Sequence, residues 1–136
     1  MSPHEFLVTE TREWLNRAIS DRRACDTLIG GELPEAALFH AQQCAEKALK
    51  AFLTWHQTPF QKTHDLKALR KLCLPLITSP IANLDEIDKL TKYAWRFRYP
   101  GAPYVPDRKE AEEAMSMASA LLDAIMSQLH TQFNRG

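Results

Sequence analysis

The chain has 136 residues, 45% of them hydrophobic, and its 17 basic and 17 acidic side chains give a formal net charge of zero. This length allows one domain with its own hydrophobic core and leaves little room for a second. Zero net charge excludes an overall positive field that would hold the chain on nucleic acid or an anionic membrane. The charge is uneven, because residues 33–106 carry ten basic and six acidic side chains. We therefore expect an anionic ligand, if one binds, to bind within this middle segment.

The first predicted helix runs from about residue 3 to the Gly30-Gly31 stop. Ser2 and Glu5 have the spacing of a capping box, and Pro3 occupies the first helical position, where proline is tolerated. Apolar side chains then recur at helical spacing. They are Leu7, Trp14, Leu15, Ala18, Cys25, Leu28 and Ile29.

The second predicted helix begins at Pro34 and ends near His56, which makes it roughly 22 residues or ~33 Å long at 1.5 Å per residue. Its core stripe comprises Leu38, Ala41, Ala45, Leu49 and Phe52. Long polar side chains border this stripe, namely Gln43, Glu46, Lys47 and Lys50. They are placed to line a cleft or a dimer seam, although Glu46 and Lys50 also have the spacing of an ordinary helix-stabilising pair.

Two shorter helices are predicted next. Thr63 can cap a third helix that runs to about Leu74 and is closed by Pro75. A fourth helix is expected to open at residues 79–80 and to end before the Pro100–Pro103 segment. Its core-facing residues are Ile87, Leu90, Ala94 and Phe97.

The last and longest predicted helix begins after Asp107, a suitable capping residue. Its apolar stripe comprises Ala111, Ala114, Met115, Ala118, Leu122, Ile125 and Leu129. No segment has the alternating pattern of a strand. The sequence thus predicts an all-α fold, an up-and-down antiparallel bundle of about five helices in a single domain over residues 1–136.

Cysteine usage and hydropathy indicate the compartment. Cys25, Cys44 and Cys73 are odd in number, lack metal-type spacing and fall within apolar helical patterns, so we expect buried free thiols in a reducing environment. The amino terminus lacks a basic region followed by an apolar one, and no apolar run approaches the ~18 residues of a membrane span. We therefore expect a soluble, cytoplasmic protein.

Patterns for metals and phosphate loops are missing from the sequence. The five histidines never fall three to five residues apart, as zinc-binding helices require. The glycines at 30, 31, 101 and 136 form no phosphate-binding loop. We expect no cofactor and no metal site.

A cluster of cations marks the end of the fourth predicted helix. Lys89, Lys92 and Arg96 share one helical face, and Arg98 and Tyr99 follow where the helix ends. This cluster can hold phosphate oxygens while a neighbouring aromatic ring, from residue 93, 95 or 99, stacks on a base. The lysines also suit a solvated helix face, because an aspartate precedes each by four residues.

A second candidate site surrounds His64, which lies between Thr63 and Asp65 with Lys62 beside it. A helix amino terminus next to a lysine and a histidine can bind phosphate through its free N–H groups. The alternative is structural, with Thr63 and Asp65 completing the helix start and His64 packing against the second helix.

These segments together resemble one known family. The run Ala37–Leu53, followed by Lys62-Thr-His-Asp-Leu66 and by Arg98-Tyr-Pro, resembles the HEPN family, named for higher eukaryote and prokaryote nucleotide binding. The resemblance spans roughly residues 4–130 and implies an antiparallel helical bundle that pairs as a homodimer. From these charge and helix patterns together, we expect an anionic ligand, if one binds, to contact the following side chains: Lys47, Lys50, Lys62, His64, Arg96, Arg98 and Tyr99.

Many HEPN proteins are ribonucleases whose motif is an arginine, four to six residues and a histidine. The arginine stabilises charge on the scissile phosphate, and the imidazole moves a proton. No histidine of this chain follows an arginine at that spacing, and the window after Arg98 contains Pro103, Tyr104 and Val105. The chain therefore departs from the catalytic pattern at its essential base.

Two functions remain open. The first is a non-catalytic HEPN module that binds a nucleotide or other anionic ligand, beside a separately encoded minimal nucleotidyltransferase in a toxin-antitoxin-like pair. The second, disfavoured by the missing motif, is a metal-independent ribonuclease toxin that uses His64 instead. A homodimer is expected because the second helix carries apolar residues outside its core stripe. These are Phe39, Ala48, Ala51 and Trp55.

Overall fold

The computed structural model describes residues 1–133, and all regular secondary structure in that range is helical. Four α-helices and two 3₁₀ elements follow one another along the chain: α1 (Pro3–Gly30), α2 (Pro34–Trp55), α3 (Leu66–Cys73), a 3₁₀ turn (Leu74–Leu76), a 3₁₀ segment (Leu84–Ala94) and α4 (Arg108–Phe133). The predicted all-α fold is confirmed. The predicted domain boundary at residue 136 falls outside the described residues.

Helices α1 and α2 form an antiparallel hairpin. The Ser2 hydroxyl accepts a hydrogen bond from the Glu5 N–H at 3.1 Å, as the capping-box spacing predicted. At the other end, the Leu33 N–H donates to the Leu28 carbonyl at 2.8 Å and closes the turn before Pro34. These contacts give both helices the bounds expected from sequence.

Helix α2 is the centre of the bundle and packs against α1, α3, α4 and the 3₁₀ segment. Its predicted stripe from Leu38 to Phe52 is buried throughout. Ala48 and Ala51 are also fully buried within the single chain. The expectation that these two residues face a second copy is therefore wrong, because neighbouring elements already cover them.

The cap of α3 differs from the prediction. The Asp65 carboxylate accepts hydrogen bonds from the N–H groups of Lys67 and Ala68 at 3.0 and 3.4 Å, so Asp65 caps this helix. The Thr63 hydroxyl instead accepts from the Asp65 N–H at 3.1 Å and shapes the preceding loop. Either residue type can cap a helix, and the two lie too close in sequence to be distinguished by pattern alone.

The fourth predicted helix is a 3₁₀ segment that starts later than expected, at Leu84. Asn83 adopts a left-handed conformation with φ of 57°, and this separates the segment from residues 79–80. Ile87, Leu90 and Ala94 are buried as predicted. Phe97 lies beyond the end of the segment and packs, partly buried, against the core.

Helix α4 closes the bundle. The Asp107 carboxylate accepts from the Glu110 N–H at 2.9 Å, so the predicted cap is confirmed. The apolar stripe of α4 is buried from Ala111 to Leu129, with Met115 only partly covered. Within residues 1–133, every helix is too short or too polar to cross a lipid bilayer.

The three cysteines are buried free thiols, as predicted. Burial raises the pKa of Cys25 to about 11 and that of Cys44 and Cys73 to about 12. All three are therefore protonated and unreactive at neutral pH.

Candidate functional site

A buried carboxylate links α1 to α2. Asp21 is only 7% exposed because it lies three residues after Ala18 and four before Cys25, on the core face of α1. One carboxylate oxygen lies 2.8 Å from Nδ1 of His40, and the other accepts from Nζ of Lys47 at 2.6 Å. A buried carboxylate needs such partners. Lys47, a predicted ligand-binding residue, is therefore paired within the chain.

A second buried carboxylate holds the loop that precedes α3. Glu46 is 3% exposed, and its Oε1 lies 2.7 Å from Nδ1 of His64 and accepts from Nε2 of Gln42 at 3.1 Å. Its Oε2 accepts from Nζ of Lys50 at 3.0 Å. Gln42 also donates to the His64 carbonyl at 3.0 Å. The Glu46 group, formed by Gln42, Glu46, Lys50 and His64, thereby fixes both the backbone and the ring of His64.

The Glu46 carboxylate is ionised at neutral pH. Burial by itself raises the pKa of Glu46, but the hydrogen bonds from His64, Lys50 and Gln42 outweigh burial and leave the pKa below its usual value.

Within this group, Lys50 and His64 differ strongly in solvent exposure. Lys50 is 7% exposed, and its ammonium lies 5.5 Å from the ring centroid of Trp14 and 5.8 Å from that of Phe60. The His64 side chain is 59% exposed, although Nδ1 is held by the carboxylate. Of the two, His64 is the one that can meet a ligand.

A basic and aromatic pocket lies at the amino-terminal end of α2. The Arg98 guanidinium carbon lies 5.5 Å from the ring centroid of Phe39. Together they form part of a pocket of about 340 Å³, lined by Glu35, Ala36, Phe39, His40, Tyr93, Phe97 and Arg98. His40 connects this Arg98 pocket to the Asp21 carboxylate.

Helix α4 fixes the wall of the Arg98 pocket. The hydroxyls of Tyr93 and Tyr104 both donate to one oxygen of Glu110, at 2.8 and 2.6 Å. The Phe97 ring lies between them, stacked on Tyr93 and edge-on to Tyr104. Burial and the Glu110 carboxylate raise the pKa of Tyr93, so its hydroxyl stays protonated and keeps donating.

The remaining predicted ligand-binding residues are open to solvent or nearly so. The guanidinium carbon of Arg96 lies 5.8 Å from the Tyr104 ring centroid, and Tyr99 is 70% exposed. Lys62 lies on the exposed loop two residues before His64. Among residues 1–133, no carboxylate lies within ion-pair distance of Lys62, Arg96 or Arg98. These cations are therefore available to an added anion.

Helix α2 relates the two candidate sites. Arg98 contacts it at Phe39 and His64 contacts it at Gln42 and Glu46, a span of about 10 Å along the helix at 1.5 Å per residue. The predicted lysines on α2 are therefore paired, with Lys50 buried and Lys47 partly buried, whereas Lys62, Arg96 and Arg98 on the neighbouring segments are unpaired among residues 1–133.

Sequence reasoning missed the residues that organise both sites. Asp21 and Gln42 are polar side chains at core positions of helices, and such placements usually mark a hydrogen-bonded network. His40 was visible as well, because it lies seven residues before Lys47 and shares its helix face. Phe39 and Glu35 gave no comparable signal, since their partners come from distant parts of the chain.

The described residues contain no group of three or more histidine, cysteine, aspartate or glutamate side chains that could hold a metal ion.

Comparisons with known proteins agree on one family. The model of the HEPN domain matches residues 11–129. The crystal structure of an archaeal HEPN homologue superposes with a TM-score of 0.69 at 27% identity, covering 87% of this chain and 96% of that one. No curated protein matches the chain.

Proposed function

The chain belongs to the HEPN domain family, and on that premise we propose that it is a non-catalytic module that binds a nucleotide or other anionic ligand. We further propose that it acts as a homodimer beside a minimal nucleotidyltransferase, in a toxin-antitoxin-like pair. The Arg98 pocket is the observation that carries the binding proposal.

The Arg98 pocket combines the features that a nucleotide requires. Arg98 can give a phosphate two parallel hydrogen bonds, and the rings of Phe39 and Phe97 offer apolar surface to a base. Glu35 and Ala36 belong to the first turn of α2, whose N-cap Leu33 makes no side-chain hydrogen bond. That turn places free backbone N–H groups beside the pocket, and these favour an anion. Glu35 opposes this attraction and favours a ligand of limited negative charge.

The absence from the sequence of the histidine of the family's ribonuclease motif supports a binding role over a catalytic one. Loss of a general acid or base typically removes about 10²- to 10⁴-fold of rate. Tyr104, which occupies part of the window where the family motif has its histidine, donates its hydroxyl to Glu110 at 2.6 Å. That hydroxyl is committed to a structural hydrogen bond.

Calorimetric titration of the purified chain with a panel of nucleotides tests the binding proposal. Arg98→Lys should weaken binding by about 1 kcal/mol or more, because lysine cannot reproduce the two parallel donors of arginine. Arg96→Lys should have the same direction of effect. Arg108→Lys is the matched control, since Arg108 is exposed on α4 and paired with Glu112. Unchanged affinity in both Arg98→Lys and Arg96→Lys would refute the assignment of the ligand to the Arg98 pocket.

The ribonuclease alternative has one observation in its favour. A carboxylate that holds one nitrogen of an exposed imidazole, as Glu46 holds His64, is an arrangement used to orient a general base. We expect no metal-independent cleavage of a structured RNA mixture by the purified chain. Cleavage by the wild type that disappears in a folded His64→Ala variant would favour the ribonuclease.

The exposed apolar side chains of the 95–105 segment support the homodimer proposal. Trp95, Tyr99 and Val105 are all exposed there, and aromatic side chains are enriched at protein–protein interfaces. We expect light scattering to give a dimer at about micromolar protein, the range in which specific interfaces form. We expect Trp95→Ser combined with Val105→Ser to give a monomer, and a monomeric wild type would refute the proposal.

A further inference from the structure

His40 presents an unused ring nitrogen at the Arg98 pocket. Its Nδ1 lies 2.8 Å from a carboxylate oxygen of Asp21, which is buried on α1. Nε2, on the opposite edge of the ring, makes no hydrogen bond within residues 1–133 and remains accessible to solvent. The His40 side chain is 31% exposed, and the residue lines the pocket together with Arg98. Nε2 is therefore open to a bound ligand.

The Asp21 carboxylate fixes the tautomer of the His40 ring. An ionised carboxylate only accepts hydrogen bonds, so the proton of a neutral imidazole held by it lies on Nδ1. Nε2 then carries a lone pair and acts as an acceptor. The Arg98 guanidinium, which lines the same pocket, only donates. The Arg98 pocket thus offers an acceptor and a set of donors to one ligand.

This combination matches a phosphate group that carries one proton. A phosphate monoester has a second pKa of about 6, so near neutral pH it can offer its P–OH proton to an acceptor. Its other oxygens can still accept two parallel hydrogen bonds from arginine. A phosphodiester has no such proton, and its oxygen would face the lone pair of Nε2 unless the imidazole itself took up a proton. The pocket therefore favours a monoester over a diester.

The charges around His40 also favour a ligand that keeps one proton. They come from every neighbouring element, namely Asp21 on α1, Glu35 and Lys47 on α2, Arg98 after the 3₁₀ segment, and Glu110 on α4 behind Tyr93. Lys47 offsets Asp21. Tyr93 stays protonated, because burial and Glu110 raise its pKa. Among the lining residues Glu35 offsets Arg98, so a second negative charge on the phosphate would have no partner in the lining.

We propose that the Arg98 pocket binds a phosphate monoester, with one proton shared between a phosphate oxygen and Nε2 of His40. This inference rests on the binding function proposed above and names the ligand class and a further ligand-binding residue. A nucleoside monophosphate and the monophosphate end of an RNA chain both carry this group. Glu35 disfavours the added charge of a di- or triphosphate. His40 contacts the ligand, and Asp21 positions His40.

Paired ligands test the monoester preference. Each 5′-nucleoside monophosphate is titrated beside its methyl ester, a diester that keeps the base, the sugar and the phosphorus. Near pH 6.5 we expect the monophosphate to bind about tenfold or more tightly, because the diester leaves Nε2 without a hydrogen-bond partner. Circular dichroism and a urea titration confirm that each protein sample is folded.

The pH dependence tests the shared proton. Phosphate monoesters and imidazoles ordinarily lose their protons by about pH 7, so above this pH the shared proton is taken from solvent. The affinity for the monophosphate should then fall by up to about tenfold per pH unit. Calorimetry at about pH 8, in two buffers of different ionisation enthalpy, should give an uptake of about one proton per bound monophosphate.

His40→Asn removes the Nε2 edge of the ring, while its side-chain amide can still donate to Asp21. It should weaken the monophosphate to the affinity of its methyl ester, flatten the pH dependence and leave the methyl ester nearly unchanged. His130→Asn is the matched control, because His130 is exposed on α4, and it should change neither ligand. The proton uptake of the wild type needs no variant, so it decides the matter even if His40→Asn does not fold.

Equal affinity for the two ligands, no proton uptake, or equal effects of His40→Asn and His130→Asn would overturn the proposal. If nucleotides still bind and Arg98→Lys still weakens them, the proposed function stands without this inference. If no nucleotide binds, the proposed function fails and this inference fails with it. An RNA oligonucleotide with a 5′-monophosphate that binds more tightly than any mononucleotide, and loses this advantage on dephosphorylation, would support the same chemistry at an RNA end.

Discussion

Replacing Glu46 with glutamine tests whether the Glu46 group is structural. The substitution keeps the shape of the side chain and removes its charge, which leaves the Lys50 ammonium buried against Trp14 and Phe60 without a counter-ion. Removing one partner of a buried ion pair typically costs about 3–5 kcal/mol. We expect Glu46→Gln to lower the free energy of unfolding by this amount in urea titrations.

A second substitution separates the charge from the packing. Lys50→Met removes the ammonium and retains an unbranched chain that packs between the rings. In the Glu46→Gln background it should therefore restore part of the lost stability. Glu112→Gln is the matched control, because Glu112 forms an exposed pair with Arg108 on α4. Exposed pairs of this spacing contribute about 0.3–0.5 kcal/mol.

The pH dependence gives an independent readout. Because the folded state lowers the pKa of Glu46, its contribution to stability is full above the ordinary value of 4.5 and is lost as the pH falls through the lower, folded value. Glu46→Gln should remove this part of the acid sensitivity. A loss below about 1 kcal/mol for Glu46→Gln, or no rescue by Lys50→Met, would refute the counter-ion argument.

Three further substitutions probe other features, each measured by urea unfolding. Burial lowers the pKa of His56, so stability should fall as the pH drops below its ordinary value of 6.5, and His56→Phe should remove that slope. Tyr93→Phe should cost about 1.5–3 kcal/mol, because its buried hydroxyl bonds to a carboxylate, and a similar cost for the more exposed Tyr104→Phe would contradict this reasoning. Asp65→Ala should cost about 1 kcal/mol as the loss of a cap, and an equal or larger cost for Thr63→Ala would reverse the assignment.

The sequence predicted the long helices well because their signals are local. The capping residues, the proline and glycine positions and the apolar period lie within or beside each helix, so α1 and α2 begin and end, and α4 begins, close to the expected residues. The 3₁₀ character of the Leu84–Ala94 segment has no such signal, since its apolar spacing fits either kind of helix over a few turns. The sequence likewise predicted the wrong cap for α3, because Thr63 and Asp65 are both suitable capping residues and lie only two positions apart.

The candidate site was harder to predict because its contacts join distant residues. Glu46 and Lys50 looked like an exposed pair on a helix surface, yet both are buried, because Phe60 and His64 return to α2 after the intervening loop. Asp21 reaches His40 and Lys47 in the same way across the α1–α2 hairpin. Such partners can be read from sequence only as polar residues at core positions, without their identities.

The lysines of α2 and the arginines of the 95–105 segment have different roles in the fold. Lys47 and Lys50 neutralise carboxylates buried in the helix bundle, so changing them should alter stability first and ligand affinity only as a consequence. Arg96 and Arg98 lie on a segment fixed by two tyrosines to α4 and carry no internal counter-ion among residues 1–133. Changing these arginines should alter ligand affinity while leaving the free energy of unfolding nearly unchanged. The same ligand titration and the same unfolding curve, applied to Lys50→Met and Arg98→Lys, therefore separate the charges that hold the fold together from the charges that are available for binding.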